Sequence, residues 1–540
     1  PNPITSTITS NGVQFGCNVT IDKISGTVQL GDALSLNSAR TLTLTTGTFD
    51  AVTYNVTAGL FSSTAGTTTK MGTGTWTLSG TGTVWTGAGA NIAGTSTIVV
   101  SDTSTASRTF ISGDLYYNKL TIGGTTGTST FAINGSPTFG ELASTKTVAH
   151  TITLQTNGTT TVGKWSVTGT AGNVVTITGG GSAGLPVNLV IAGPANSGID
   201  YLSLRDCVVS ATSPGEFYVG ANSTNVSGNT RVIFTATPAP RTLYWVGGTG
   251  NWSSTTKWST SSGGASGAAI PTSLDSVTFD SASNATAYTA TIDAGVTIAR
   301  CASFTMAGPA AGNVTFAGTV GIAFHGNVSF AATGITRTYT GAMSWAGNSS
   351  YTFDANGLVL DSSCTVTGVG STWTLARNID IGPSNFIITY GTFSTSASNY
   401  AITANNLSSN NSNIRSISFN VSTITLNGNT PISFITSTNL TFTAGTSTLS
   451  FSTPTPTFNG GSQTFYNVSF TSAAATSITI TGANTFNNLT FTGRTLVGIT
   501  PVTFSANQTI SGTLTLPAGT SAARRTFLAS NIIGTQRTLT

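Results

Sequence analysis

Apolar side chains alternate with Ser or Thr in short bursts along this chain: Ile417-Ser418-Phe419, Ile424-Thr425-Leu426, Ile432-Ser433-Phe434, Leu440-Thr441-Phe442 and Leu449-Ser450-Phe451. The bursts start seven to nine residues apart, with Gly, Asn and Pro in the gaps. A period of two places apolar groups on one face of a strand and hydroxyls on the other, and the gap residues are those that turns require. The pattern predicts half-buried strands, with Leu440 facing inward and Thr441 outward.

A related phrase carries Asn in front: Asn313-Val314-Thr315-Phe316, Asn327-Val328-Ser329-Phe330, Asn439-Leu440-Thr441-Phe442, Asn467-Val468-Ser469-Phe470 and Asn488-Leu489-Thr490-Phe491. Its last two intervals, 28 and 21 residues, are the size of one solenoid coil. With three short strands per coil, like residues of successive coils stack into ladders, with Phe and Leu inside, Thr outside and Asn at a corner that tolerates left-handed backbone. A string of antiparallel sandwiches would also show short, evenly spaced strands. The solenoid is favoured because few Asn-Gly or Asp-Gly pairs join long alternating strands, and because there is little charge to protect many sheet edges. The fold expected is all-β, an elongated parallel β-helix or β-solenoid with very little helix.

A longer period lies above the coil. Asn11-Gly12 answers to Asn356-Gly357, Cys17-Asn18-Val19-Thr20 to Cys364-Thr365-Val366-Thr367, and Gly47-Thr48-Phe49 to Gly391-Thr392-Phe393. Ala93-Gly94-Thr95-Ser96-Thr97 reappears as Ala444-Gly445-Thr446-Ser447-Thr448, and Gly135-Ser136-Pro137-Thr138-Phe139 as Gly482-Ala483-Asn484-Thr485-Phe486. These anchors are collinear at offsets of 344 to 351. The break between copies falls at Thr237-Pro238-Ala239-Pro240, a stiff segment that lacks a backbone donor at each Pro. The organisation expected is 1–240 as the later part of one long repeat, 241–290 as a Trp/Gly-rich module opening the second copy, and 291–540 as the solenoid of that copy. Residues 525 to 539 fall opposite 175 to 189 at an offset of 350, in mid-repeat, so the parent chain is expected to continue beyond Thr540 and to begin before Pro1.

Composition narrows the chemistry. Charged residues are 6% of the chain against about 25% in an ordinary soluble protein, so its surface is wetted by hydroxyls and amides. Hydrophobic residues at 38%, with 27 Phe, 12 Tyr and 8 Trp, suffice for a continuous core. The net charge of +4 is spread thinly and Arg524-Arg525 is the one notable basic pair, which argues against nucleic acid as a partner. No run of 18 apolar residues suggests membrane insertion, and the first residues lack the pattern of a signal peptide. Cys17, Cys207, Cys301 and Cys364 are too dispersed for a zinc ribbon or dense disulfide scaffold, and read as free thiols.

Residues 244 to 280 hold the most specific motif: Tyr244-Trp245-Val246-Gly247-Gly248-Thr249-Gly250-Asn251-Trp252, Lys257-Trp258-Ser259, Gly263-Gly264, Pro271 and Asp275-Ser276-Val277-Thr278-Phe279-Asp280. The segment resembles the module that opens each long repeat in β-helical proteins of phage virions, and more loosely a Trp/Gly motif of autotransporter-type bacterial adhesins. Asp200 to Cys207 and Gly228 to Phe234 resemble segments that close such a repeat. The resemblance implies a structural or adhesive surface fibre, extracellular on a virion or bacterial cell, and a trimer if it is a tail fibre. Physically, Gly247, Gly248 and Gly250 let backbone pass close to indole rings, and Asp275 and Asp280 can accept from turn amides. Trp245, Trp252 and Trp258 are packed inward as a plug or, if exposed, form a platform for a cell-surface glycan.

Enzyme chemistry finds little to work with. Thirteen Asp and two Glu are scattered over the chain, and the densest group, Asp200, Arg205 and Asp206, reads as a self-stabilised turn rather than the catalytic groove of a polysaccharide-degrading β-helix. Gly180-Gly181-Ser182-Ala183-Gly184 matches the serine-hydrolase pattern, but Leu185-Pro186-Val187 follows where a helix is needed, and His150 and His325 are isolated. Neither a catalytic residue nor a cofactor is expected, and calcium between coils is compatible with the sequence but not indicated. Strand edges and Thr/Asn ladders favour self-association into an oligomer or filament.

Overall fold

The computed structural model describes residues 4–101, 104–124, 129–495, 497–517 and 524–540. The chain is all-β with about 1% helix, a parallel β-solenoid of about 23 turns. It divides into two compact units, Pro1–Ala239 and Pro240–Thr540. The boundary lies at the Pro238-Ala239-Pro240 segment. Residues 241–290 are not a separate body, because their strands Thr242–Trp245 and Ser276–Phe279 are rungs of a sheet that continues into the second unit. Among the described residues, no helix is long and apolar enough to cross a membrane.

In the first unit, most strands feed alternately into two large parallel sheets. Leu34, Val56, Trp76, Ile98, Leu120, Leu142 and Trp165 face one another in steps of 20 to 23 residues, and all are buried. The expected three strands per coil hold here only where Leu60–Ser63, Thr68–Lys70 and Thr75–Leu78 are overlaid in turn by Gly82–Thr86, Ala90–Ile92 and Thr97–Ser101. Strands such as Tyr116–Gly123 are long enough to round a corner, where two successive residues, Asn118 and Lys119, are both half-exposed and interrupt the alternation.

Three strands per coil occur in the second unit. Ser276–Phe279, Tyr288–Ile292 and Ala299–Cys301 are overlaid in turn by Phe304–Met306, Val314–Gly318 and Ile322–Phe324. After Leu440–Thr443 one face disappears and long bent strands such as Thr464–Phe470 take over. The apolar ladder Ile379, Ile402, Ile424, Leu449, Val468 and Leu489 runs unbroken through this change, each residue no more than 2% exposed. Leu440 points toward the core but is only half-buried, at the start of the last strand of its face, while Thr441 is exposed as expected.

The asparagines serve their corners mostly by a means other than the left-handed backbone expected of them. Of the five, Asn439 alone has a left-handed backbone, at φ 59°. Asn467 and Asn488 lie inside strands and form an axial chain: Asn488 Nδ2 donates to Asn467 Oδ1 at 2.8 Å, and Asn467 Nδ2 to Thr448 Oγ1 at 3.2 Å. Asn313 Nδ2 donates to Thr336 Oγ1 at 2.9 Å, and Asn327 Oδ1 accepts from Thr352 N at 2.9 Å. An amide side chain spans the rise between coils of about 4.8 Å, so its commoner use here is to tie one coil to the next.

The long repeat shows in matched backbone geometry. Asn11 and Gly12 have φ of 52° and 76°, and Asn356 and Gly357 have 47° and 87°. Gly94 and Gly445 have φ of 57° and 58°, and a Cβ on either would lie 2.1 Å from a carbonyl oxygen of the preceding coil, that of Gly72 or Asn420. Phe49, Phe393, Phe139 and Phe486 are fully buried behind their left-handed glycines. Cys17 departs from the pattern: it is exposed where Cys364 is buried in a strand. All four cysteines are free; burial pushes the thiol of Cys207 up to about 12 and raises those of Cys301 and Cys364 as well.

Candidate functional site

The Trp/Gly module is the beginning of the second unit's core. Thr242–Trp245 pairs in parallel with Ser276–Phe279 on one side and antiparallel with Trp258–Ser259 on the other. That is the one antiparallel strand pair among the described residues, and Trp258–Ser259 ends its sheet. A two-residue edge strand facing the wrong way offers little template for further parallel pairing.

Trp245, Trp252 and Trp258 are 0%, 1% and 0% exposed. The indoles of Trp245 and Trp258 meet edge to face at 5.2 Å, those of Trp252 and Trp258 at 4.8 Å, and Trp245 stacks on Phe279 at 5.3 Å. Trp245 Nε1 donates to Gly248 O and Trp258 Nε1 to Trp252 O, both at 2.8 Å. These three indoles therefore do not form the glycan platform, because a sugar cannot stack on a ring that is closed off from solvent. Large aromatics gain most from burial, and the turns supply acceptors for two of the three indole N–H groups, the buried Trp252 Nε1 having none among the described residues.

The glycines serve that turn. Gly247 and Gly248 are left-handed, at φ 73° and 67°. At Gly250 a Cβ would lie 2.2 Å from Cε of Lys257, whose Nζ donates to Gly247 O at 2.7 Å. Gly250 thus makes room for a lysine stem rather than for an indole. Asp280 accepts from Ala282 N at 2.9 Å and from Ser262 Oγ at 2.7 Å, closing the turn after its strand.

Asp275 is fully buried, and its main partner was not legible as such. Arg241, 34 residues away, donates through Nε and Nη2 at 2.9 and 2.6 Å and through its backbone N at 2.9 Å, while Thr272 adds its backbone N and Oγ1 at 2.8 and 2.9 Å. Burial raises the carboxyl's pKa, but the Arg241 and Thr272 hydrogen bonds outweigh it and hold the group below the usual carboxylate range. A depressed carboxylate contributes stability that is present above its unfolded pKa and lost as the pH falls through the folded value. Arg241→Ala is expected to cost about 3 kcal/mol, because it strands a buried charge whose partner is itself partly solvated. The penalty should shrink in acid, where Asp275 protonates in the variant before it does in the parent; thermal melts at neutral and acid pH check both.

The other candidate groups are engaged in turns. Asp200 accepts from Tyr201 N and Asn222 N at 2.9 Å and from Asn222 Nδ2 at 2.7 Å. Asp206 accepts from Gly184 N at 2.9 Å and lies 3.6 Å from Arg205 Nε. The Gly180 to Gly184 segment is therefore a turn clipped to Asp206, and no helix follows it. His150 faces Ser144 Oγ at 2.9 Å and Val148 O at 2.8 Å, both near it in sequence. Among the described residues, no three His, Cys, Asp or Glu side chains gather as a metal site would require.

Compared with models of protein families, with curated proteins and with solved structures, the chain matches none.

Proposed function

We propose that this chain is a non-catalytic structural or adhesive element, part of an extracellular fibre on a virion or bacterial surface that associates with copies of itself. The observation that carries the reading is the pair of uninterrupted apolar ladders, around which hydroxyl and amide side chains predominate at the outward positions. Such a body is rigid, extends by repetition and presents the same chemistry on coil after coil. The resemblance of the Trp-Val-Gly-Gly segment to phage and adhesin repeats supports the same role. The involvement of Asp200, Asp206 and Asp275 in turns and an internal ion pair favours structure over acid–base chemistry.

Sedimentation at increasing concentration tests the self-association. Oligomers of defined size are expected, three chains if the tail-fibre resemblance holds, and a monomer at all concentrations would overturn this part of the reading. Release of reducing ends from a polysaccharide by the purified chain would overturn the non-catalytic part.

A further inference from the structure

One outward face of the second unit carries columns of hydroxyls and amides. Its sheet comprises Ile379–Asp380, Ile402–Ala404, Thr423–Leu426, Thr448–Phe451, Thr464–Phe470, Thr485–Phe491 and Thr509–Thr515. Register places Thr448, Asn467, Asn488 and Thr513 in one outward column and Ser450, Ser469, Thr490 and Thr515 in the next. Along three successive coils, residues of these columns line a groove of about 430 Å³, with Thr448 at its start. The amides of Asn467 and Asn488 are committed to the axial chain described above. The hydroxyls of Ser469, Thr490 and Thr515 have no hydrogen-bond partner among the described residues.

We propose that this groove binds a neutral, extended polysaccharide running along the solenoid axis, one sugar unit per coil. The inference rests on the adhesive reading above and gives it a site, now that the indoles are excluded. No lining residue is charged, so an anionic glycan or a nucleic acid would find no counter-charge. A hydroxyl both donates and accepts, which suits a ligand whose polar groups are themselves hydroxyls. The coils rise about 4.8 Å each, close to the advance of one pyranose ring in an extended chain, so the same contact can recur in register. The donors stand on strands already fixed by the ladder beneath them, so little ordering is needed on binding.

The test uses the whole chain with β-1,4-linked glucose and N-acetylglucosamine hexasaccharides, read by calorimetry, with a sulfated oligosaccharide as the charged comparison. Thr490→Val removes one hydroxyl at constant shape and should weaken binding about tenfold. Ser469→Arg fills the groove and should abolish binding, whereas Thr403→Arg, in the same column but outside the groove, should leave it unchanged. Melting curves establish that each variant is folded. Binding of neither neutral hexasaccharide, or binding equally retained by Thr490→Val and Ser469→Arg, overturns the groove; in the second case the chain is still an adhesin, with its site elsewhere. Reducing-end release measured on the same samples would instead sink the non-catalytic reading.

Discussion

Leu449→Asp should destabilise the second unit by about 4 kcal/mol, while Thr425→Asp, on the coil before it but facing outward, should cost less than about 1 kcal/mol. Leu449 is a fully buried rung between Ile424 and Val468, themselves 0% and 1% exposed. A carboxylate there must either stay protonated, at the expense of its normal ionisation, or drag its strand into water. Thr425 is half-exposed, and a charge in its place remains hydrated. Because each coil touches mainly its neighbours, the damage should be local. Hydrogen exchange should accelerate in Thr423–Leu426, Thr448–Phe451 and Thr464–Phe470, while the strands of the first unit keep their protection. Equal losses for the two substitutions would refute the inside and outside assignment. Leu440, the rung suggested by the alternating pattern alone, is a weaker probe because it is only half-buried.

How far the fold was legible follows from the range over which each interaction acts. Alternation of apolar and hydroxyl residues is a local property of one strand, so Ile424, Leu426, Leu449 and Phe451 could be assigned inward without knowing their partners. The long repeat was legible because left-handed turns accept few residue types, and pairs such as Gly94 and Gly445 must recur wherever the chain passes close to a carbonyl of the coil below. The number of strands per coil was not legible, since a strand that bends round a corner and two strands joined by a turn differ by one or two residues. Tyr466 and Asn467, adjacent and both half-exposed, mark such a bend.

The candidate site was harder to read for a related reason. Tryptophans among glycines look alike in sequence whether they are stacked under a turn or displayed on it, and only the antiparallel return of Trp258 onto Trp245 decides between them. Arg241 and Asp275 meet across 34 residues with no spacing rule to announce it. The groove lined by Ser469, Thr490 and Thr515 was present in the sequence as outward hydroxyls, but a column becomes a surface only when the register between coils is known.

Arg415 has the largest polar effect to be expected in the molecule. It occupies an inward position in the ladder, opposite Gly391 and Leu440, and is 1% exposed. A guanidinium has five N–H donors in a fixed fork, and all five are used: Nε on Ser409 Oγ at 2.6 Å, Nη1 on Asn413 O and Thr438 O at 2.8 and 2.7 Å, and Nη2 on Ser409 O and Thr436 O at 2.6 and 2.7 Å. Two of these acceptors lie in the loop that follows the next coil's strand Ile432–Ser433, so one side chain pins the corners of two successive coils. Burial lowers its pKa to about 10, which leaves it cationic at neutral pH, its charge met by oriented carbonyls. Arg415→Met keeps the bulk but leaves five acceptors unanswered in a place water cannot readily enter, at a cost of about 4 kcal/mol. Arg415→Lys should recover little of this, because three donors on a flexible stem cannot reproduce a planar fork. The loss should appear first as faster hydrogen exchange and protease cleavage between residues 434 and 440, where two pinned carbonyls are released, with the coils before Asn385 unaffected. A lysine variant as stable as the parent would show that charge alone, and not the fork, holds these corners together.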